Sequence, residues 1–302
     1  MARWLRSAIK AVQRALEGAP GATLAVILLC LPIVMGGVAG CASGAFTPER
    51  SLSRHADRLA PHVEIILPET ATGAVPAALL FSGCGGVRQV QSDYAQAAAD
   101  AGYAAMIVDS HALRGIGRTA ARLQVCTALR LWGQARAADV FAAIELARRD
   151  PRLDAERLYL VGWSHGGWTL LDALSFAADG ETPPGLSALP AEPLAGVAEA
   201  LAIYPYCGVL SRAEDAGLAG SAPVFALLAE DDLVVSPQRC ADVLEDAQSN
   251  GAAVDWMVKP GVTHAFDAPD QAPDPRMEYD PQAASEARAL FVERMEERAG
   301  AP

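Results

Sequence analysis

The sequence predicts an α/β fold: a mostly parallel, doubly wound sheet with helices on both faces, in a single domain. Three observations carry this. Short apolar runs alternate with helix-like stretches from about residue 62 to residue 298, the pattern of consecutive βαβ units. Several runs end in glycine, proline or a polar residue, as strands entering loops do. The 302 residues, 52% hydrophobic and 20% charged, are enough to bury a large core and exclude a disordered chain.

The chain opens with "MARWLRSAIKAVQR", which carries Arg3, Arg6, Lys10 and Arg14, and from Ala19 to Gly40 it has no charge. A basic segment before an apolar one reads as an export signal or as a membrane anchor whose basic end stays in the cytoplasm. The run ends in "VAGCAS". Small residues before a cysteine resemble the bacterial lipoprotein signal, in which the cysteine, here Cys41, becomes the lipidated first residue. The alternative is an uncleaved anchor helix. Either reading attaches the protein to a membrane and puts the rest of the chain outside the cytoplasm, in the periplasm or at the cell surface. The expected organisation is a signal or anchor over 1–41, a tether over 42–60 and one domain over 61–302.

Within that domain the strands expected are "HVEIILPE", "AALLFSG", "YAAMIVDS", "RLYLVGW", "AEALAIYP", "PVFALLAE" and "VDWMVKPG". The helical stretches are 91–100, 133–149, 166–178, 236–250 and 282–298. A proline-rich connection, "ETPPGLSALPAEP", follows a helix and precedes a strand, so it belongs on the sheet edge away from any active site. The net charge of −12 argues against nucleic acid as a partner, because phosphates are repelled. Cleavage before Cys41 removes four cationic residues and one anionic one, leaving −15.

In "LYLVGWSHGGWTLL", residues 158–171, Ser164 lies where a strand ends and a helix begins. Glycines at 162 and 166 leave room for a tight turn that lifts the hydroxyl above the sheet. The helix start beside it supplies backbone N–H groups and a positive dipole end. Later, "FALLAEDDLVVSP" delivers Asp231 and Asp232 to a loop, and "VKPGVTHAFD" delivers His264. Carboxyl ends of parallel strands share one edge, so these distant residues converge there. A hydroxyl, an imidazole and a carboxylate so gathered make a nucleophile, its general base and the acid that orients the base.

Residues 62–298 resemble the dienelactone hydrolase family of α/β-hydrolases, through "FSGCGG", "MIVDSHALRG", "LVGWSHGGW", "IYPYCG", "LLAEDDLVV" and "PGVTHAF". The resemblance implies the α/β-hydrolase fold, with Ser164 as nucleophile, His264 as base and Asp232 as the orienting acid, Asp231 being the alternative. Two departures stand out. Members that open dienelactone itself use a cysteine where this chain has Ser164, and the family's His-Gly before the oxyanion loop is here Ser82-Gly83.

Oxyanion donors are expected from the backbone N–H of His165, after the nucleophile, and from that of Cys84 in "SGCGG". The His165 imidazole reads as a pocket wall rather than a second base. His111, Arg114, Trp132, Tyr204, Tyr206, Trp163 and Trp168 lie on segments that reach the active-site edge and are candidates to wall the pocket, with packing the favoured role of each aromatic over a substrate platform. Of the six cysteines, Cys84, Cys126, Cys207 and Cys240 remain once Cys30 and Cys41 are set aside. An even number in an exported domain predicts disulfides. Placement on the same edge favours Cys207–Cys240 and Cys84–Cys126, with free buried thiols the alternative. The cysteines and histidines lack the close paired spacing of a zinc site, so no metal is expected, and the chemistry calls for no cofactor.

These residues together predict an extracytoplasmic serine hydrolase that cleaves carboxylic esters or related small acyl substrates through an acyl-enzyme. A peptidase of the same fold, a cofactor-free perhydrolase and a catalytically silent envelope lipoprotein are the alternatives.

Overall fold

The computed structural model describes residues 37, 39–271 and 273–299. The basic and apolar stretch expected to be a signal or anchor lies outside the described residues up to residue 36. Among the described residues no helix is long and apolar enough to cross a membrane.

Every expected strand is present: β1 (Val63–Ile66), β2 (Val75–Phe81), β3 (Ala104–Val108), β4 (Leu153–Trp163), β5 (Val197–Ile203), β6 (Val224–Ala229) and β7 (Val254–Lys259). They form one seven-stranded sheet in the order β1-β3-β2-β4-β5-β6-β7. β1 runs antiparallel to β3, and all other neighbours are parallel. The α/β-hydrolase fold expected from the sequence is the fold observed.

The helices are α1 (Leu52–Leu59), α2 (Gln89–Asp100), α3 (Gly133–Arg149), α4 (His165–Asp179), α5 (Arg212–Ala216), α6 (Pro237–Ser249) and α7 (Pro281–Ala299). Successive side chains of a strand point to opposite faces, and β2 shows the consequence. Leu79 and Phe81 join the core that α1, α3, α4 and α6 cover, whereas Ala78 and Leu80 join the core under α2 and α7. Burying each of the larger apolar side chains stabilises the fold by about 1.5–3 kcal/mol. The central helix α3 buries Ala137, Ala138, Ala142, Ala143 and Ala147, and side chains that small let it lie close against both the sheet and α4.

The expected tether over 42–60 is corrected by the structure. Ala42 is buried, and its carbonyl accepts a 2.8 Å hydrogen bond from the Trp132 amide. Arg50 forms an isolated bridge with Leu186. The Ser51 hydroxyl caps α1 by accepting from the Arg54 amide. Leu52, His55, Ala56 and Leu59 follow the spacing of an amphipathic helix face, and the last three are buried. A histidine in that stripe breaks its apolar reading. It is tolerated because His55 Nε2 lies 2.8 Å from Asp139 Oδ1 on α3.

One buried carboxylate makes stability depend on pH. Asp172 on α4 is fully buried, and its Oδ1 accepts from the Ser211 hydroxyl at 2.9 Å and from the Arg212 amide at 2.7 Å. Burial outweighs these donors and raises its pKa from 3.8 to about 7. A raised pKa means the folded state holds a proton that the unfolded chain has released. The stabilisation is therefore complete below about pH 4 and is lost as pH rises through about 7. Melting temperatures of wild type and Asp172→Asn measured between pH 5 and pH 8 are expected to show a smaller decline in the variant. Parallel curves would remove Asp172 as the source.

Candidate active site

The site is built around a sharp junction. β4 ends at Trp163 and α4 begins at His165, leaving Ser164 between them at φ +51° and ψ −112°. Its amide donates to Ile203 O at 2.9 Å, and its carbonyl accepts from the Trp168 amide at 2.9 Å. Two glycines make the junction possible. A Cβ at Gly162 would come within 2.5 Å of the Gly166 carbonyl carbon, and one at Gly166 would collide with the Phe81 carbonyl at the end of β2. The hydroxyl therefore stands at the carboxyl edge of the sheet.

The loops after β6 and β7 meet it there, tied together by the Asp231 amide donating to Val262 O at 3.0 Å. His264 Nε2 lies 2.9 Å from Ser164 Oγ, and its Nδ1 lies 2.6 Å from Asp232 Oδ2. Asp232 Oδ1 in turn accepts from the amides of Val234 and Val235 at 2.8 and 2.9 Å. This network sets the tautomer: Nδ1–H donates to the carboxylate, leaving the Nε2 lone pair to accept the serine proton. His264 and Asp232 are 4% and 7% exposed, whereas Asp231 faces solvent. Of the two adjacent acids, the structure brings Asp232 to the histidine.

The loop after β2 packs against the junction. A Cβ at Gly83 would lie 3.6 Å from Ser164 Cβ. Among the described residues, neither the Cys84 amide nor the His165 amide donates to a protein acceptor. Both are free for a developing negative charge. The carbonyl of Cys84 is held by His111 Nε2 at 3.1 Å.

Beneath this loop lies a buried cation that the sequence reading did not single out. Arg136 of α3 is fully buried, donating to Ser82 O at 2.7 Å and lying 3.3 Å from His165 Nδ1. His165 Nε2–H donates to Leu131 O at 2.6 Å. Burial, then the Arg136 charge, holds the His165 pKa well below its ordinary value and brings His111 down to about 4. Both rings are neutral near pH 7. The His165 ring, expected as a pocket wall, does not line the cavity that opens over Ser164; it is buried and hydrogen-bonded. Burial lowers the Arg136 pKa to about 10, which leaves it a cation.

Asp267, three residues beyond His264, was also missed. It is fully buried, and its carboxylate accepts from Tyr204 Oη at 2.5 Å, Tyr94 Oη at 2.9 Å and Trp163 Nε1 at 3.0 Å. Burial raises its pKa against these three donors. The Tyr204 ring packs 4.8 Å from the His264 ring, so the cluster braces the imidazole from behind. The available signal was an acid closing "THAFD".

A cavity of about 390 Å³ opens over Ser164 and His264, a size suited to small organic ligands. Of the candidates, Trp163 and Tyr204 line it, whereas His111, Arg114, Trp132, Trp168 and Tyr206 do not. Trp168 and Tyr206 pack on each other at 4.8 Å, and Trp132 Nε1 donates to Ala128 O. The walls come instead from Val90, Arg122, Val234, Ala268 and Met277, with Arg88, Gln271 and Arg276 also lining it. Pro184 and Gly185 of the proline-rich connection stay outside this cavity.

Cys84–Cys126 and Cys207–Cys240 form disulfides, each with a Cα separation of 5.0 Å. The first ties the loop after β2 to the segment around 118–126, and both its cysteines line the cavity that opens over Ser164. The second ties the loop after β5 to α6. Among the described residues no group of three or more His, Cys, Asp or Glu side chains is placed to hold a metal.

Two family models match the sequence: the dienelactone hydrolase family over residues 184–298 and the prolyl oligopeptidase family over residues 89–179. The first span contains Asp232 and His264, and the second contains Ser164. No curated protein matches. Similar solved structures include a putative dienelactone hydrolase from Klebsiella pneumoniae, at 18% identity and TM-score 0.60 over 77% of this chain and 91% of that one. A thermophilic esterase from Thermogutta terrifontis, with propionate bound, matches at 15% identity and TM-score 0.57 over 80% and 90%. Est1E from Butyrivibrio proteoclasticus, with ferulic acid bound, matches at 13% and 0.56 over 79% and 95%.

The disulfides close separations of 42 and 33 residues, and loops of that size are worth about 4 kcal/mol each in the chain-entropy view. Intact mass after denaturation, reduction and alkylation is expected to count four more alkylated thiols than without reduction. Reduction should also lower the melting temperature by more than about 5 °C. Equal thiol counts would dismiss both bonds.

Proposed function

From a chain that is an α/β-hydrolase by fold, we propose a serine hydrolase that cleaves small carboxylic esters through an acyl-enzyme. The observation that carries this is the unbroken chain from Ser164 Oγ to His264 to Asp232, at 2.9 and 2.6 Å. In this reading Ser164 Oγ attacks the ester carbonyl carbon as its proton passes to His264 Nε2. Asp232 stabilises the imidazolium that forms, and the negative charge on the former carbonyl oxygen is met by the amides of Cys84 and His165. The tetrahedral adduct collapses, breaking the bond to the alcohol oxygen, which leaves with the proton from His264. Water then attacks the acyl-serine, gives its proton to His264 and releases the carboxylic acid, restoring the hydroxyl. The likeness to a thermophilic esterase with propionate bound and to Est1E with ferulic acid bound, and the family match over 184–298, support the substrate class.

The reading includes location. The basic and apolar leader followed by "VAGCAS" supports export and lipidation at Cys41, which is exposed. The enzyme would then work outside the cytoplasm, held to a membrane by lipid. Two cystines suit an oxidising compartment.

A second reading, an acyl hydrolase acting on peptides, is favoured by the match to the prolyl oligopeptidase family over 89–179. The same triad would serve it, so substrate panels separate the two. p-Nitrophenyl esters of short acids are expected to turn over, and peptide p-nitroanilides to remain uncleaved; the opposite result selects the peptidase.

A fluorophosphonate probe should label wild type once and leave Ser164→Ala unlabelled; labelling that persists in the variant moves the nucleophile elsewhere. Asp232→Asn is expected to lower kcat by about 10³–10⁴-fold through the wrong histidine tautomer, whereas Asp231→Asn should stay within about threefold of wild type. Reversed losses would exchange the two acids.

A further inference from the structure

A second cavity, of about 290 Å³, lies away from the triad, where the segment after Cys41 meets α1, the turn after β3 and the start of α3. Its charge is at odds with the rest of the molecule. The protein carries −12, yet Arg50, Arg58, Arg114 and Arg130 all line this hollow. Arg114 is neutralised by Asp139, with contacts of 2.6 and 3.1 Å. The other three make no ion pair among the described residues. Arg130 reaches only neutral acceptors, Gln124 Oε1 at 3.3 Å and Arg114 O at 3.4 Å. The nearby acids do not line the cavity, and Asp57 pairs with Arg149.

Arg54 and Arg58 stand four residues apart on α1, a like-charge pair that works against the helix, and Arg50 lies just before its N-cap. Burial and the charges of Arg58, Arg114 and Arg54 lower the pKa of Arg50, the mark of a cation whose field is not compensated by the protein. His55 lines the same cavity at 3% exposure, with Nε2 held by Asp139 and Nδ1 without a partner. Gly44 and Gly185, at φ +84° and +91°, complete the wall, packed close against Ala135, Pro184 and Thr47.

We propose that this cavity binds a phosphate group, with Arg50, Arg58 and Arg130 as its charge partners. Guanidinium forks match phosphate oxygens with paired, charge-assisted hydrogen bonds, and a bound dianion relieves the repulsion among these arginines. Two sources share this chemistry, a free phosphate ester and the headgroup of an anionic phospholipid. Cys41 also lines the cavity, so a lipid attached there would set the arginines at the headgroup layer. The site stands apart from the proposed esterase and does not depend on it.

Calorimetric titration of the full chain with inorganic phosphate, against chloride at matched ionic strength, tests the site. Wild type should give a saturable signal, and Arg50→Gln/Arg58→Gln should bind at least about tenfold more weakly while keeping the circular dichroism spectrum of wild type. Should the double variant not fold, Arg130→Gln carries the same expectation. Absence of saturable binding in wild type, or equal affinity in a folded variant, overturns the proposal. Competition then separates the sources. Displacement by dihexanoyl phosphatidylglycerol at lower concentration than by glycerol phosphate supports a phosphate site reading lipid. The reverse order supports one reading a soluble ester, and displacement by neither overturns a phosphate site.

Discussion

The backbone of Ser164 is the constraint on which the site depends. Its φ of +51° puts a side-chain-bearing residue where L-residues are strained, at a cost of about 1–3 kcal/mol. The surroundings hold it there. The Ser164 amide and carbonyl are both hydrogen-bonded, and Gly162 and Gly166 let β4, α4 and the end of β2 approach backbone to backbone. Relaxation of the turn would require the sheet and α4 to part. The strain is thereby converted into position: the hydroxyl projects above the carboxyl edge, where parallel strands deliver every other loop of the site.

The loops arriving at that edge are fastened by buried polar groups rather than by apolar packing alone. Arg136 holds Ser82 and faces a neutral His165, His111 holds the Cys84 carbonyl, and Asp267 gathers Tyr94, Trp163 and Tyr204 behind His264. Polar groups in so dry a place are costly unless hydrogen-bonded, so each fixes the geometry of its neighbours. The same helix that carries Arg136 carries Asp139, whose contacts with His55 and Arg114 organise the second cavity. One face of α3 thus supports the loop beside Ser164 and the arginine-lined hollow, and Ala42 packs beside the same helix start.

Much of this was legible in the sequence because it is written locally. Seven apolar runs became seven strands, and the helical stretches lie within two residues of those observed. Gly-x-Ser-x-Gly carried its own turn chemistry, and the even set of cysteines with its edge placement matched the two bonds formed. Where the local signal was mixed, the reading went astray. His55 interrupts the apolar stripe of α1, so a packed helix read as tether. Trp132, Trp168 and Tyr206, by contrast, turn their rings into packing and away from the cavity, the role favoured for them over a substrate platform.

The sequence alone determined the class of fold, the tight Gly-x-Ser-x-Gly turn and the order in which serine, acid and histidine follow one another, because periodicity and turn chemistry depend on residues a few positions apart. Only the tertiary structure decided that β1 joins antiparallel at the edge, that Asp232 turns inward while Asp231 faces water, and that Asp139 meets a histidine 84 positions away. Those outcomes depend on which surfaces pack together, and burial, once packing is complete, sets which charges are compensated and which remain open to a ligand.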